Sequence, residues 1–159
     1  MLDRTATETT VAPITALPHS SIAGVIQHAR PGQAACCSEF YLENLSTGAI
    51  HEISQRLGRD ASGCRLDYGR LAEAHAGIEQ NLRDGAGALI LNRFGYSEAN
   101  GGGLRPLIEL AVSEQVPVLI SVNDTYSAEW QAFSGGFARA VPGCTAAIQD
   151  WVRTVLYAR

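Results

Sequence analysis

The sequence predicts an α/β fold: three layers, with a mainly parallel sheet between flanking helices and an inserted β-hairpin. Three observations point there. Two short, continuous apolar runs, residues 86–91 and 117–122, read as strands buried on both faces. Each is preceded by a stretch with apolar residues at helical spacing. Strands that alternate with amphipathic helices imply parallel pairing through right-handed crossovers.

The elements follow in order. Residues 1–20 are rich in Thr, Ala and Pro and are expected to be loosely ordered, with a single α/β domain over 21–159. Within that start, residues 11–17 could form an edge strand, where Pro13 would remove one ladder donor. Residues 21–27 (SIAGVIQ) read as a buried strand, and the following HARPGQAACC reads as a loop with a turn at Pro31-Gly32. A hairpin is expected from 39–45 and 49–54, turning at Ser46-Thr47-Gly48. Residues 55–66 read as a long, functional or mobile loop.

Asp67 is a plausible N-cap for a helix carrying Leu71, Ala74, Ile78 and Leu82 on one face, with Gly85 as its stop. After the run 86–91, residues 92–103 read as a glycine-rich loop. Leu104, Leu107, Ile108, Ala111 and Val112 form a second stripe, with Pro106 in its first turn. The strand 117–122 follows, then a short helix near 127–133. A last helix over 145–156 carries Ile148, Val152, Val155 and Leu156.

Composition narrows the function. The net charge is -4, which gives no basic footprint for nucleic acid. All 12 basic residues are Arg, the side chain better suited to gripping an oxyanion with two parallel bonds. No apolar run approaches the roughly 20 residues that span a bilayer. Residues 1–10 are polar and do not read as a signal peptide, so a cytoplasmic location and reduced cysteines are expected.

In an open α/β sheet, ligands bind beyond the carboxyl ends of the strands. Three predicted strands end at polar pairs: Gln27-His28, Asn92-Arg93 and Asn123-Asp124. Parallel pairing would bring these tips to one edge. The segment LILNRFGYSEANGGGLRP sets Gly101, Gly102 and Gly103 before a helix N-terminus. Backbone N–H groups there could hold an anion, with Arg93 or Arg105 adding charge. The alternative is a flexible glycine linker with solvated arginines.

Several segments together resemble a family of uncharacterised bacterial proteins: GVIQ, the hairpin at Ser46-Thr47-Gly48, GCRLD, LILNRFGYSEANGGGLR, PVLISV and WQAFSGG. The resemblance covers about residues 22–137. Members are often encoded near molybdenum-uptake or molybdenum-utilisation genes. The family is itself similar to the thermostable nucleoside-triphosphatases of the P-loop class. That implies a P-loop-like fold, here reduced at its N-terminus. The chain departs from the triphosphatases where their chemistry sits. Nothing before Ser21 fits G-x-x-x-x-G-K-[ST], and the chain contains no lysine. Asn92-Arg93 stands where the triphosphatases carry Asp-Glu. Glu98 matches a later acidic residue of their motif, and Tyr96 replaces a Lys common in the closer family.

The reading that results is a non-catalytic, P-loop-like domain that binds a small oxyanion, with molybdate or tungstate as candidates from the resemblance. The expected ligand residues are Gln27, His28, Ser62, Arg65, Asn92, Arg93, Gly101, Gly102, Gly103 and Arg105. Two other readings stay open. One is an atypical nucleoside-triphosphatase with magnesium on Glu98 or Asp124. The other is a protein-interaction module on the degenerate fold. Expected partners are a small anion and other molybdenum-metabolism proteins, with a homo-oligomer left open. His28, Cys36, Cys37 and Cys64 form a weaker metal candidate, since thiolate and imidazole suit zinc or copper(I) but no C-x-x-C pair exists. Cys64 with His28 or His75 could be drawn as a thiol–imidazole pair, yet His75 reads as a packed core residue. Trp130 and Phe133 could line a pocket but read better as core.

Overall fold

The structure, a computed structural model, describes residues 21–29, 40–55 and 66–157. The strand expected over 11–17 and most of the loops at 28–37 and 55–66 lie outside the described residues. The elements are β1 (Ile22–Ala29), β2 (Phe40–Asn44), β3 (Ile50–Glu52), α1 (Tyr68–Arg83), β4 (Ala88–Phe94), α2 (Tyr96–Ala99), α3 (Arg105–Ser113), β5 (Val118–Val122), α4 (Ser127–Ser134) and α5 (Thr145–Tyr157).

The strands form one sheet in the order β3-β2-β1-β4-β5. β1 pairs parallel with β4 (Ile22↔Ala88 to Val25↔Leu91), and β4 pairs parallel with β5. The hairpin β2–β3 extends the sheet antiparallel from β1. The expected α/β architecture is therefore present, with the hairpin as part of the main sheet.

Alternation along the strands builds the three layers. Ala23 and Val25 of β1, with Leu89 and Leu91 of β4, face a cluster completed by Ala74, Ile78 and Leu82 of α1 and Leu107, Ile108 and Ala111 of α3. Ile22, Ile26 and Ile90 face the opposite side and meet Ile148 and Val152 of α5. Full burial of each large aliphatic chain stabilises the fold by about 1.5–3 kcal/mol. These clusters therefore hold the helices on the sheet far more strongly than helix propensity does.

Local chemistry fixes the connections. Asp67 caps α1 by accepting the Arg70 N–H at 3.1 Å. The buried Asn44 closes the hairpin: its Oδ1 accepts the Ser46 and Thr47 N–H groups at 2.9 and 3.2 Å. Gly24 lies in β1 at φ +133°, and a Cβ there would overlap the Ile90 carbonyl oxygen of β4. Only glycine lets the two central strands approach at that point.

Five expectations are corrected. β1 continues past Gln27 to Ala29. β4 continues through Asn92 and Arg93 to Phe94, and the expected 92–103 loop contains the short helix α2. β5 is half-buried along its length, and among the described residues it is an edge strand that pairs only with β4. Val112 is 64% exposed, since α3 turns only Leu107, Ile108 and Ala111 fully inward. His75 is not core: its side chain is 25% exposed, with Nδ1 at 3.9 Å from Glu79 Oε2 one turn along α1.

A candidate anion-binding edge

Because β1, β4 and β5 are parallel, their carboxyl ends share one edge of the sheet. β3 runs antiparallel to β2 and so ends on this edge too. The chain leaves β1 toward the hairpin on one side and leaves β4 toward β5 on the other. The crevice between the ends of β1 and β4 is thus the topological switch point, the usual ligand position in an open α/β sheet.

Asn92 and Arg93 lie in a bulge at the carboxyl end of β4. The β4–β5 register shifts between Leu91 and Phe94. Strict alternation would put Phe94 with Ile90 on the α5 side. Phe94 is instead buried with Leu91 on the α1–α3 side. Two residues thus fill the place of one, and such bulges commonly re-aim side chains beside functional sites. Asn92 Nδ2 donates to the Gln27 carbonyl at 3.4 Å, tying the tip of β4 to β1. Arg93 is half-buried, and its side chain makes no hydrogen bond or ion pair among the described residues. Its Nε and Glu98 Oε2 each lie 3.7 Å from where a Cβ on Gly95 would sit, without a bond between them.

The glycine tract closes around an internal carboxylate. Glu98 is 9% exposed; its Oε2 accepts the Gly95 N–H and its Oε1 the Leu104 N–H, both at 3.0 Å. Gly103 sits at φ +60°, and a Cβ there would overlap Glu98 Oε1, so glycine makes room for the carboxylate. The Gly101 N–H donates to the Glu98 carbonyl at 3.1 Å and the Gly102 N–H to the Ser97 carbonyl at 2.8 Å. Of the three amides, the Gly103 N–H is the one with no partner among the described residues.

The other expected site residues are distributed as follows. His28 Nε2 lies 2.9 Å from Glu43 Oε2, and its ring stacks on Tyr41 at 4.9 Å. Cross-strand register produces this group, since His28 stands opposite Tyr41. Arg105 Nε pairs with Glu109 at 3.1 Å, and its guanidinium lies 4.3 Å from the centre of the Phe133 ring. Phe133 and Trp130 in turn pack on Phe94, as core-like residues do. Ser62, Arg65, Cys36, Cys37 and Cys64 lie outside the described residues. Among the described residues, no group of three or more His, Cys, Asp or Glu side chains is placed to hold a metal ion.

Sequence reasoning missed a hollow lined by Glu52, Ser54, Gln55, Asp67 and Arg70. It belongs to the same edge, where β3 ends and α1 begins. Arg70 crosses it, donating to the Glu52 carbonyl at 3.1 Å. The N-cap at Asp67 was its only sequence signal. A second hollow, lined by Leu82, Arg83, Ala86, Glu114 and Val116, lies at the opposite edge, away from the switch point. No helix among the described residues is long and apolar enough to cross a membrane.

Comparison with known proteins adds two findings. The sequence profile of a family described as "protein of unknown function (DUF2478)" matches residues 11–151. A curated relative, molybdenum import ATP-binding protein ModC 2 of Bradyrhizobium diazoefficiens, is 29% identical over 132 residues. That alignment covers 83% of this chain but only 15% of the relative's length. No solved structure shows a significant match.

Proposed function

The chain belongs to the DUF2478 family of unknown function, and we propose that it is a non-catalytic, P-loop-like domain that binds a small tetrahedral oxyanion at the β1–β4 crevice. The observation that carries this reading is Arg93: a half-buried residue in a bulge at the carboxyl end of β4, whose guanidinium has no counter-charge bonded to it among the described residues. An anionic ligand there would give the guanidinium a charge-assisted partner. Gln27, Asn92, the Gly103 N–H, Ser62 and Arg65 are proposed as further donors. Molybdate or tungstate is the proposed ligand. The similarity to a molybdenum import ATP-binding protein supports that choice. In this reading the domain works in the cytoplasm beside other proteins of molybdenum metabolism.

The test is a thermal-shift and calorimetric screen with molybdate, tungstate, sulfate, phosphate and nucleotides on the wild type and on Arg93→Ala. A ligand at 100 times its dissociation constant should add about 2.7 kcal/mol of stability. A tetrahedral oxyanion should stabilise the wild type and lose most of that effect in the variant. If no oxyanion shifts the wild-type melting temperature, the reading fails.

A further inference from the structure

Resting on the oxyanion reading, we infer that the crevice takes its anion free of metal, so that magnesium opposes the binding of any anion that chelates it. The resemblance to P-loop nucleoside-triphosphatases implies magnesium, but the donors at this edge do not fit it. Magnesium arriving on a phosphate is held by one or two protein carboxylates along with the phosphate oxygens.

Among the described residues, the carboxylates around the β1–β4 crevice and the adjoining hairpin are already engaged. Both oxygens of Glu98 accept backbone N–H groups, from Gly95 and Leu104. Glu43 is bonded to His28 at 2.9 Å. Asp67 accepts the Arg70 N–H, and Glu52 lies 3.5 Å from the Arg70 guanidinium. Asp124 is exposed in the turn after β5, one strand further from the crevice. What the switch point presents is the neutral Asn92, already tied to the Gln27 carbonyl, and the cationic Arg93. Arg93 Nε and Glu98 Oε2 each lie 3.7 Å from where a Cβ on Gly95 would sit, but both Glu98 oxygens are taken by backbone N–H groups, so among the described residues no open carboxylate is available to hold a divalent cation against the repulsion of Arg93. The favoured ligand class is an oxyanion that travels uncomplexed, such as tungstate, molybdate or sulfate. A phosphate should bind only when stripped of magnesium.

The experiment compares two probes on the full chain by calorimetry, each in EDTA and in saturating magnesium. Tungstate, which does not chelate magnesium appreciably, should bind equally in both. Pyrophosphate, a strong chelator, should bind in EDTA and weaken at least tenfold with magnesium. Arg93→Asp should lose tungstate binding and make pyrophosphate binding depend on magnesium, while Arg93→Gln controls for folding and should lose tungstate without gaining that dependence. Tighter pyrophosphate binding with magnesium in the wild type would overturn this inference and leave the oxyanion reading standing. Tungstate binding with no pyrophosphate binding in either condition would also overturn it. Loss of both probes in the wild type would sink the oxyanion reading together with the inference.

Discussion

Arg93 and Glu98 stand five residues apart and answer opposite questions. Glu98 is structural: a buried carboxylate with an N–H donor on each oxygen. Each charge-assisted bond is worth about 1.5–3 kcal/mol, so Glu98→Ala should cost about 3 kcal/mol or more. Glu98→Gln, which keeps a single acceptor oxygen, should cost distinctly less. Chemical denaturation of the two variants checks this, and equal losses would contradict the two-bond account. Arg93 has nothing bonded to it among the described residues, so Arg93→Ala should change stability by no more than about 0.5 kcal/mol. The same variant should weaken oxyanion binding by about 1.5–3 kcal/mol. A large stability loss with affinity intact would show that Arg93 serves the fold. Gln115 offers an independent check on backbone detail. It sits at φ +58° just past the end of α3, with the Val116 N–H reaching back to the Ala111 carbonyl at 2.7 Å. Glycine favours that left-handed position, so Gln115→Gly should raise stability by about 0.5–1 kcal/mol.

Among the elements, those built on local pattern were legible in the sequence. The stripe at Ala74, Ile78 and Leu82 and the cap at Asp67 are properties of adjacent residues, and both are present. The apolar run of β4 and the hairpin turn were visible for the same reason. The end of β4 was not legible. It depends on a register shift against β5, and nothing local says that Phe94 turns to the same side as Leu91. The local fold of the glycine tract is not legible for a related reason: it closes around a carboxylate three to five residues upstream, with the Gly101 and Gly102 amides donating inside the turn. Val112 shows the limit of periodicity, since a residue at the border of a stripe is buried only if a neighbour covers it. Gly24 gives the element-scale prediction. Ala at this position would combine unfavourable φ with overlap onto the backbone of β4, and each effect costs about 1–3 kcal/mol. Gly24→Ala should therefore destabilise by about 3 kcal/mol or more. A melting temperature near wild type would show that β1 and β4 can separate without loss.

For the whole molecule, the placement of charge decides what chemistry the fold can support. Phosphoryl transfer depends on positioning and on neutralising charge that develops on the transferred group. P-loop enzymes do this with a lysine, a metal and carboxylates that hold the metal or orient water. This chain has no lysine anywhere. Its sheet brings Asn92 and Arg93 to the switch point, and the nearest carboxylate along the chain, Glu98, is saturated by backbone donors. An arginine alone can stabilise charge on a bound anion, but it neither activates water nor holds magnesium. The chain should therefore show no steady-state hydrolysis of ATP or GTP with magnesium at rates approaching roughly 1 per second, the low end of ordinary enzyme turnover. The measurement is phosphate release from purified full-length chain, with Arg93→Ala run in parallel to expose any contaminating activity. Hydrolysis that reaches that range and disappears in Arg93→Ala would mean that Arg93 is a catalytic cation and that the non-catalytic reading is wrong. Hydrolysis that persists unchanged in the variant would come from somewhere other than this crevice.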